Sequence, residues 1–376
     1  MPSFPYPSWR SRSPSRGKRL LRVYVEGPFG IGKTSTLKAL LPCNVLADPS
    51  APFVVTPEPM RYWRDFFADL IFAVGAAGRA SLVEKGEAIC ARGSEETGQV
   101  NLVSETFASI QMRFADPYLL LHDRLHDRFG TANVYPGLPD AALFFDRHSL
   151  SSTACFPGAR FLNGNCEVDA FLSILIKTPH EPPGCNMVVL DLADIEEHVA
   201  RITRRGRVGE TVDVGLLTAL RTVYAMLVNS IDYANSRKHS DGPFAISERD
   251  WLSVPLLTEE RRRSLAVGNG FVGGQKLFER LRSPHPGNTF LALLKAPETC
   301  ETNGSIRRIH AWAADAFFEK LRGMYVIVLS IDGKSPDACG AEMASTTDSM
   351  TTTTCGEEDL AFALNTLTEY RQEVAG

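Results

Sequence analysis

A glycine-rich segment near the start of the chain has the residue types and spacing that bind phosphate. It fits the pattern G-x-x-x-x-G-K-[ST], follows a strand-like run at 21–25 and opens a helix-like run at 34–41. Glycines allow successive backbone N–H groups to point into one concave anion site, and the first turn of the helix adds positive partial charge. A turn that needs only glycine would not require a Lys-Thr pair at these offsets. We therefore predict a nucleoside triphosphate site formed by Gly27, Pro28, Phe29, Gly30, Ile31, Gly32, Lys33 and Thr34.

A carboxylate held between two prolines follows the second apolar run. The segment Thr56-Pro-Glu-Pro-Met-Arg-Tyr-Trp63 comes directly after the run at 53–56. In a parallel sheet the carboxyl ends of the strands open onto the ligand crevice, so Glu58 is predicted at its rim. There it can accept the proton of an attacking hydroxyl. A solvated loop carboxylate is the alternative interpretation.

A second acid ends the apolar run at 141–145. The run followed by Asp146 resembles a Walker B element, which holds Mg²⁺ through water, and Thr34 is the other predicted Mg²⁺ ligand. Arg147 is expected to bridge phosphate groups and substrate. His148 is expected to form structural hydrogen bonds.

Four arginines lie within seven residues at the predicted end of a helix, with Gly206 and Gly209 as helix breakers. The helix dipole enriches basic residues at such ends, but it explains only one or two of them. Four arginines so close together instead predict a lid that closes over a nucleotide and neutralises the charge that develops on a transferred phosphoryl group. The arginines are Arg201, Arg204, Arg205 and Arg207.

Short apolar runs alternate with helix-like segments along most of the chain. Such runs indicate a parallel β-sheet that helices cover on both faces. We therefore predict an α/β fold of the P-loop NTPase type, in which the strand ends bring the predicted site residues to one crevice. The runs are 21–25, 53–56, 141–145, 187–190 and 324–329.

The chain is expected to contain one folded domain, residues 20–333, preceded by a basic disordered tail, residues 1–19. Residues 334–376 are expected to form a Thr- and Ser-rich loop and a final helix that packs on the same domain. Within the domain, Asp194 is predicted to cap a helix with Glu197 as its capping-box partner.

Composition excludes several classes of protein. The chain has 376 residues, of which 44% are hydrophobic, and a net charge of −4, so no overall positive field indicates a nucleic-acid partner. No apolar run approaches the about 18 residues that a membrane span needs. Eight cysteines without a C-x-x-C pair predict reduced thiols in an intracellular protein, with neither a disulfide framework nor a zinc site.

Taken in chain order, these segments resemble the herpesvirus thymidine kinases, and most closely their alphaherpesvirus branch. The resemblance covers about residues 20–330 and depends on the joint order of the motifs. It implies a fold like that of nucleoside monophosphate kinases and a homodimer in the cytoplasm or nucleus of the host cell. The motifs are the phosphate loop, 56–63, 111–118, 146–148, 151–160 and 204–210.

The activity that the resemblance implies is transfer of the γ-phosphate of ATP, with Mg²⁺, to the 5′-hydroxyl of thymidine. The product would be dTMP, in nucleotide salvage for viral DNA synthesis. Related deoxynucleosides and analogues would also be accepted. The resemblance gives the general base to Glu58, the phosphate-site arginine to Arg147, and lid roles to Arg201, Arg205 and Arg207.

The resemblance also assigns side chains to the thymine base. Gln111 would read the edge of the base through its amide, which offers a donor and an acceptor side by side. Phe114 and Phe156 would sandwich the ring. Arg160 would help to hold a base carbonyl through water. Family members commonly have tyrosine where Phe156 stands, so a hydroxyl that could orient water is missing here.

The sugar is assigned to fewer groups. Trp63 would line its pocket, and Glu210 would bind the 3′-hydroxyl. In some family members a tyrosine after the Glu-Pro-Met segment touches this hydroxyl too. Here no tyrosine occurs between Tyr62 and Tyr118, so we expect Glu210 to hold the hydroxyl alone.

Other functions remain open at this stage. A kinase could act on deoxycytidine or thymidylate, and a P-loop ATPase or switch could act on a protein partner. A GTPase is disfavoured because the chain lacks an N-K-x-D motif. A nucleic-acid-binding protein would use the basic tail.

Overall fold

A parallel β-sheet forms the centre of the protein. The computed structural model describes residues 17–65, 97–132, 138–206, 212–237, 243–273 and 285–375. The sheet contains β1 (Lys18–Glu26), β2 (Phe53–Thr56), β3 (Thr131–Ala132), β4 (Ala141–Asp146), β5 (Cys185–Asp191), β6 (Tyr325–Ser330) and β7 (Thr352–Cys355). Five strands run parallel in the order β2-β4-β1-β5-β6. The predicted α/β fold with a parallel sheet flanked by helices is therefore confirmed.

Helices cover both faces of the sheet. In chain order they are α1 (Lys33–Lys38), α2 (Thr97–Leu125), α3 (Phe156–Leu162), α4 (Val168–Leu175), α5 (Ile195–Arg205), α6 (Val214–Ser236), α7 (Glu248–Ser253), α8 (Glu259–Ala266), α9 (Leu291–Leu294), α10 (Arg308–Leu321), α11 (Pro336–Thr346) and α12 (Glu357–Tyr370). Residues 60–65 are also helical, and Ser151–Cys155 form a π-helical turn that leads into α3. One buried apolar cluster includes residues of α6, and a smaller one on the other face includes residues of α1 and α11.

Helix α6 is long and largely buried. By length and composition it could cross a membrane, but 83% of its apolar 18-residue stretch is buried inside the protein. This is the behaviour of a core helix. Its start is fixed by Asp213, whose side chain accepts a hydrogen bond from the Leu216 N–H.

Helix α5 begins where the sequence predicts, but without the predicted capping box, because the Asp194 N–H donates to Asp332 Oδ1 and the Glu197 side chain accepts from Arg201. The Asp194 side chain accepts hydrogen bonds from the backbone N–H groups of Glu196 and Glu197, which satisfies two of the donors that a helix start leaves unpaired. The helix ends at Gly206, which has a φ of 58°. This left-handed conformation is one that glycine adopts readily.

The C-terminal residues contain more regular structure than the predicted loop. Helix α11 begins at Pro336, with the Ser335 hydroxyl accepting from the Ala338 N–H. The threonine run then forms β7, which pairs antiparallel with β1 and β3. Threonine is β-branched and suits a strand. Because Lys18 and Arg19 pair with β7, they also differ from the predicted tail, whose first 16 residues lie outside the described part.

Candidate active site

The phosphate loop joins β1 to α1 as predicted. A side chain at Gly27 would meet the Leu190 carbonyl oxygen at 2.9 Å, and one at Gly30 would meet the Ile202 side chain at 2.3 Å. Both glycines have a positive φ, so only glycine fits without strain. The loop ends at the first turn of α1, where Lys33 begins the helix.

Lys33 is buried behind the loop. Its ammonium group donates to the Pro28 carbonyl at 3.4 Å and lies 3.7 Å from a Glu58 carboxylate oxygen. Burial and the charge of Arg147 lower the pKa of Lys33 to about 8. The amine is therefore held in a dry site where a phosphate would restore its full charge.

Asp146 ends β4 next to the start of α1. The Thr34 hydroxyl donates to its Oδ2 at 2.5 Å, and its Oδ1 is buried without a hydrogen-bond partner among the described residues. Burial, together with the Glu58 carboxylate, raises the pKa of Asp146 to about 6. A carboxylate and a hydroxyl oxygen at one point are the hard ligands that Mg²⁺ prefers.

Glu58 follows β2 and meets the end of β4, because the two strands are neighbours in the sheet. Its Oε1 accepts from Arg147 Nε at 2.5 Å, and only 11% of its side chain is exposed. The parallel order therefore brings Lys33, Glu58, Asp146 and Arg147 together at the carboxyl ends of three strands. It does not leave Glu58 as a solvated loop residue.

Arg147 has an unusual backbone. Among the described residues other than glycine, it alone has a positive φ, of 84°. Its Nη1 donates to the Gly27 carbonyl at 3.0 Å and to the hydroxyls of Tyr224 and Ser151 at 3.2 and 3.3 Å. Neither hydroxyl stands out in the sequence, because Tyr224 lies within an apolar helix and Ser151 is one of four hydroxyl side chains at 149–153.

Aromatic residues line the side of the crevice next to α2. The Trp63 ring lies 5.5 Å from the Phe114 ring, measured between centroids, and its Nε1 donates to the Phe114 carbonyl at 3.3 Å. Gln111 is buried, and its amide nitrogen donates to the Ser152 carbonyl at 3.1 Å. This bond joins α2 to the π-helical turn that leads into Phe156.

Phe156 and Arg160 come from α3, across that turn. The Arg147 guanidinium lies 5.2 Å above the Phe156 ring, a distance typical of cation–π contacts. Arg160 is half-buried one turn further along the same helix. The elements on the two sides of the crevice thus contact each other and the charged residues at the strand ends. One side carries Gln111, Phe114 and Trp63, and the other carries Phe156.

The arginine-rich segment lies against the phosphate loop. Arg201 donates from Nη1 to the Ile31 carbonyl at 3.0 Å and from Nε to Glu197 at 2.9 Å. Arg205 is exposed at the end of α5. Arg207 and Glu210 lie outside the described residues.

His198 on α5 makes a further contact with the phosphate loop. Its Nε2 donates to the Phe29 carbonyl at 2.9 Å. Burial lowers the pKa of His198 to about 4, so the ring is neutral at neutral pH. No local pattern in the sequence reveals this contact, because it joins residues 169 positions apart.

His148 belongs to a buried polar cluster beside the site. Its Nε2 donates to Glu181 at 2.8 Å, and its Nδ1 accepts from the Leu150 N–H at 3.0 Å. His148, Glu181 and Cys185 are close enough to share a cation, but both ring nitrogens are already used and the Arg22 guanidinium lies 3.5 Å from Glu181. These contacts support a structural role for the cluster.

Comparison with known proteins gives one family. A profile described as thymidine kinase from herpesvirus matches residues 27–331. The thymidine kinase of Suid herpesvirus 1 (strain NIA-3) is 38% identical over 336 residues, 89% of this chain and 93% of that one. The thymidine kinase of Gallid herpesvirus 2 (strain RB-1b) is 34% identical over 325 residues, 85% of each chain.

A solved structure agrees with these matches. The crystal structure of EHV4-TK complexed with Thy and ADP is 30% identical in sequence and superposes with a TM-score of 0.80. The match covers 96% of this chain and all of the other. The chain belongs to the herpesvirus thymidine kinase family.

Proposed function

We propose that this chain, as an ATP-dependent thymidine kinase, uses Glu58 as the base that activates the 5′-hydroxyl of thymidine. The observation that carries the proposal is the position of one Glu58 oxygen, which lies 2.5 Å from Arg147 Nε and 3.7 Å from Lys33 Nζ. The attacking hydroxyl must lie next to the phosphate that it attacks, and a base between two phosphate-binding cations is within reach of that position.

In the proposed reaction the 5′-oxygen loses its proton to Glu58 and forms a bond to the γ-phosphorus. The bond from that phosphorus to the β,γ-bridging oxygen breaks, and ADP leaves with the electron pair. Lys33, Arg147 and the lid arginines Arg201, Arg205 and Arg207 stabilise the charge on the phosphoryl group. Holding both substrates in line supplies up to about 7–11 kcal/mol of the barrier reduction.

Mg²⁺ fits the same crevice. The unpartnered Asp146 Oδ1 and the Thr34 hydroxyl support a site for it between loop and strand. When bound, the ion neutralises negative charge on the β- and γ-phosphates. Asp146 and Thr34 would hold it, with Thr34 already oriented by its hydrogen bond to Asp146.

The nucleoside is proposed to lie between α2 and α3. Phe114 and Phe156 stack on the thymine, Gln111 hydrogen-bonds its edge, and Arg160 holds a carbonyl through water. Trp63 borders the sugar, and Glu210 binds its 3′-hydroxyl. A relative bound to Thy and ADP supports thymidine as the acceptor, and a homodimer within the host cell is proposed from the family alone.

The test is phosphoryl transfer from labelled ATP to thymidine by purified Glu58→Gln protein. We expect thymidine affinity to stay near that of the wild type while kcat falls by about 10²–10⁴-fold, the usual contribution of a general base. Glu342→Gln is the matched control, because Glu342 pairs with Lys334 at the surface. Wild-type turnover by Glu58→Gln would show that Glu58 is not the base.

A further inference from the structure

Glu26 is a buried carboxylate that the proposed chemistry does not use. It is the last residue of β1, directly before the phosphate loop, and it is 0% exposed. Its Oε1 accepts from the backbone N–H of His148 at 2.5 Å. A fully buried charge is costly unless it is well paired, so its partners indicate what it does.

Two hydroxyls connect Glu26 to Arg147. Ser151 and Tyr224 donate to Glu26 Oε2 at 2.6 and 2.8 Å, and the same two hydroxyls accept from Arg147 Nη1 at 3.3 and 3.2 Å. Burial and the Glu26 charge raise the pKa of Tyr224 well above its usual value, so its hydroxyl keeps the proton that it donates. Glu26 Oε2 also lies 3.9 Å from Arg147 Nη1.

Glu26 therefore fixes Arg147 in two ways. The hydrogen bond from the His148 N–H holds the peptide that follows Arg147, whose left-handed backbone is rare for a residue with a side chain. The hydroxyl pair holds the guanidinium. Glu58 lies on the opposite, crevice side of the same guanidinium, at Nε.

We propose that Glu26 is a positioning residue that holds Arg147 toward the phosphoryl group and offsets its charge, so that Glu58 remains a competent base. The inference depends on the proposed roles of Glu58 and Arg147. When Glu58 takes up the proton of the 5′-hydroxyl, it loses the charge that pairs with Arg147. Glu26 then remains as the counter-charge, and Arg147 stays in place.

The pH dependence of turnover distinguishes this role from a structural one. The charged groups around Glu58 in the described part of the chain include Lys33, Arg147 and Asp146, and its charge also raises the pKa of the Tyr118 and Tyr370 hydroxyls. Removing the Glu26 charge leaves Arg147 to pair more strongly with Glu58, which becomes harder to protonate. The acid limb of the kcat profile should therefore move to lower pH, by about one unit.

The experiment compares Glu26→Gln with wild type, using thymidine and ATP from pH 4 to 9. We expect kcat to fall by about 10–100-fold and the acid limb to shift down, with Glu342→Gln unchanged. In an Arg147→Met background the Glu26→Gln change should have little further effect on kcat, because residues that act through one another are not additive. Tyr224→Phe should produce a smaller shift in the same direction, and it replaces Glu26→Gln if that variant does not fold.

The outcomes separate the inference from the proposed function. Retained turnover by Glu58→Gln would overturn the proposed base, and this inference with it. If Glu58→Gln loses turnover while Glu26→Gln and Tyr224→Phe keep the wild-type acid limb, only the role of Glu26 is refuted. Full additivity with Arg147→Met would refute it as well.

Discussion

Replacing Asp146 by Asn should make the protein more stable in the absence of Mg²⁺ and nucleotide. The same change should abolish kinase activity. Asp146 is 2% exposed, and its pKa rises from 3.8 to about 6 through burial and the nearby Glu58 carboxylate. A shift of about two units corresponds to about 3 kcal/mol of folding free energy lost when the carboxyl ionises. Asn keeps an oxygen that can accept the Thr34 hydrogen bond but carries no charge.

The pH window follows from the sign of the shift. The folded protein binds the Asp146 proton more tightly than the unfolded chain does. The contribution of this group to the unfolding free energy is therefore fully present below pH 3.8 and is lost as the pH rises through about 6. The advantage of Asp146→Asn should therefore be small near pH 4, about half of its full value near pH 5, and up to about 3 kcal/mol at pH 8. Urea unfolding at these three pH values measures it.

The control is Asp140→Asn, at the other end of β4. The Asp140 side chain is 40% exposed and accepts from the Arg19 N–H at 2.8 Å, so its substitution should be neutral or slightly destabilising at pH 8. Adding Mg²⁺ and ATP should stabilise wild type through linkage, but the Asp146→Asn protein much less. If the Asp146→Asn protein is less stable than wild type at pH 8, this prediction is wrong, because the carboxylate is then a net stabilising group in the ligand-free crevice.

Three further predictions concern single side chains. The ATP affinity of the free enzyme should fall above about pH 8, where Lys33 loses its charge, as equilibrium binding at pH 7 and 9 would measure. Glu181→Gln should lose about 3 kcal/mol of unfolding free energy at pH 7, since pairing with His148 and Arg22 lowers the pKa of Glu181 to about 2 despite its burial. That difference should shrink as pH falls from 4.5 toward 2, because stability from a depressed acid pKa is lost on acidification. Gln111→Leu should raise the KM for thymidine by about 10²-fold or more while leaving the KM for ATP near wild type, as steady-state kinetics with each substrate varied would show.

The parts of the site that are encoded locally could be predicted from the sequence. The phosphate loop is eight consecutive residues whose glycines and lysine all serve phosphate binding. Glu58 follows one apolar strand by two residues, and Asp146 ends another. The carboxyl ends of parallel strands open onto one crevice, so the meeting of these groups was expected, whereas the strand order itself was not predicted. Their exact pairing, with Glu58 on Arg147, depends on a side-chain geometry that no spacing reveals.

The rest depends on contacts between residues far apart in the chain. Glu26 and Tyr224 are 198 positions apart, and Arg22 and Glu181 meet across a similar gap. One signal was available for Glu26, since a carboxylate that ends an apolar strand beside a phosphate loop must find partners when it is buried. The strand β7 was missed for another reason. A run of threonines is polar enough to resemble a loop, but its branched side chains suit a strand, and β7 pairs with both β1 and β3.

The charges of the crevice connect phosphate binding to the proposed lid. Among the described residues, Glu26, Glu58 and Asp146 place three carboxylates around the two cations Lys33 and Arg147. ATP brings further negative charge into a site that already has an excess of it, so on the proposed function Mg²⁺ and the arginines at 201–207 must supply the balance. Coupling between two binding equilibria is reciprocal, so if bound ATP favours closure of the arginine segment, closure of that segment must favour ATP binding. Substituting the lid arginines should therefore weaken ATP binding as well as turnover, whereas a lid that acted only in the transition state would change kcat alone.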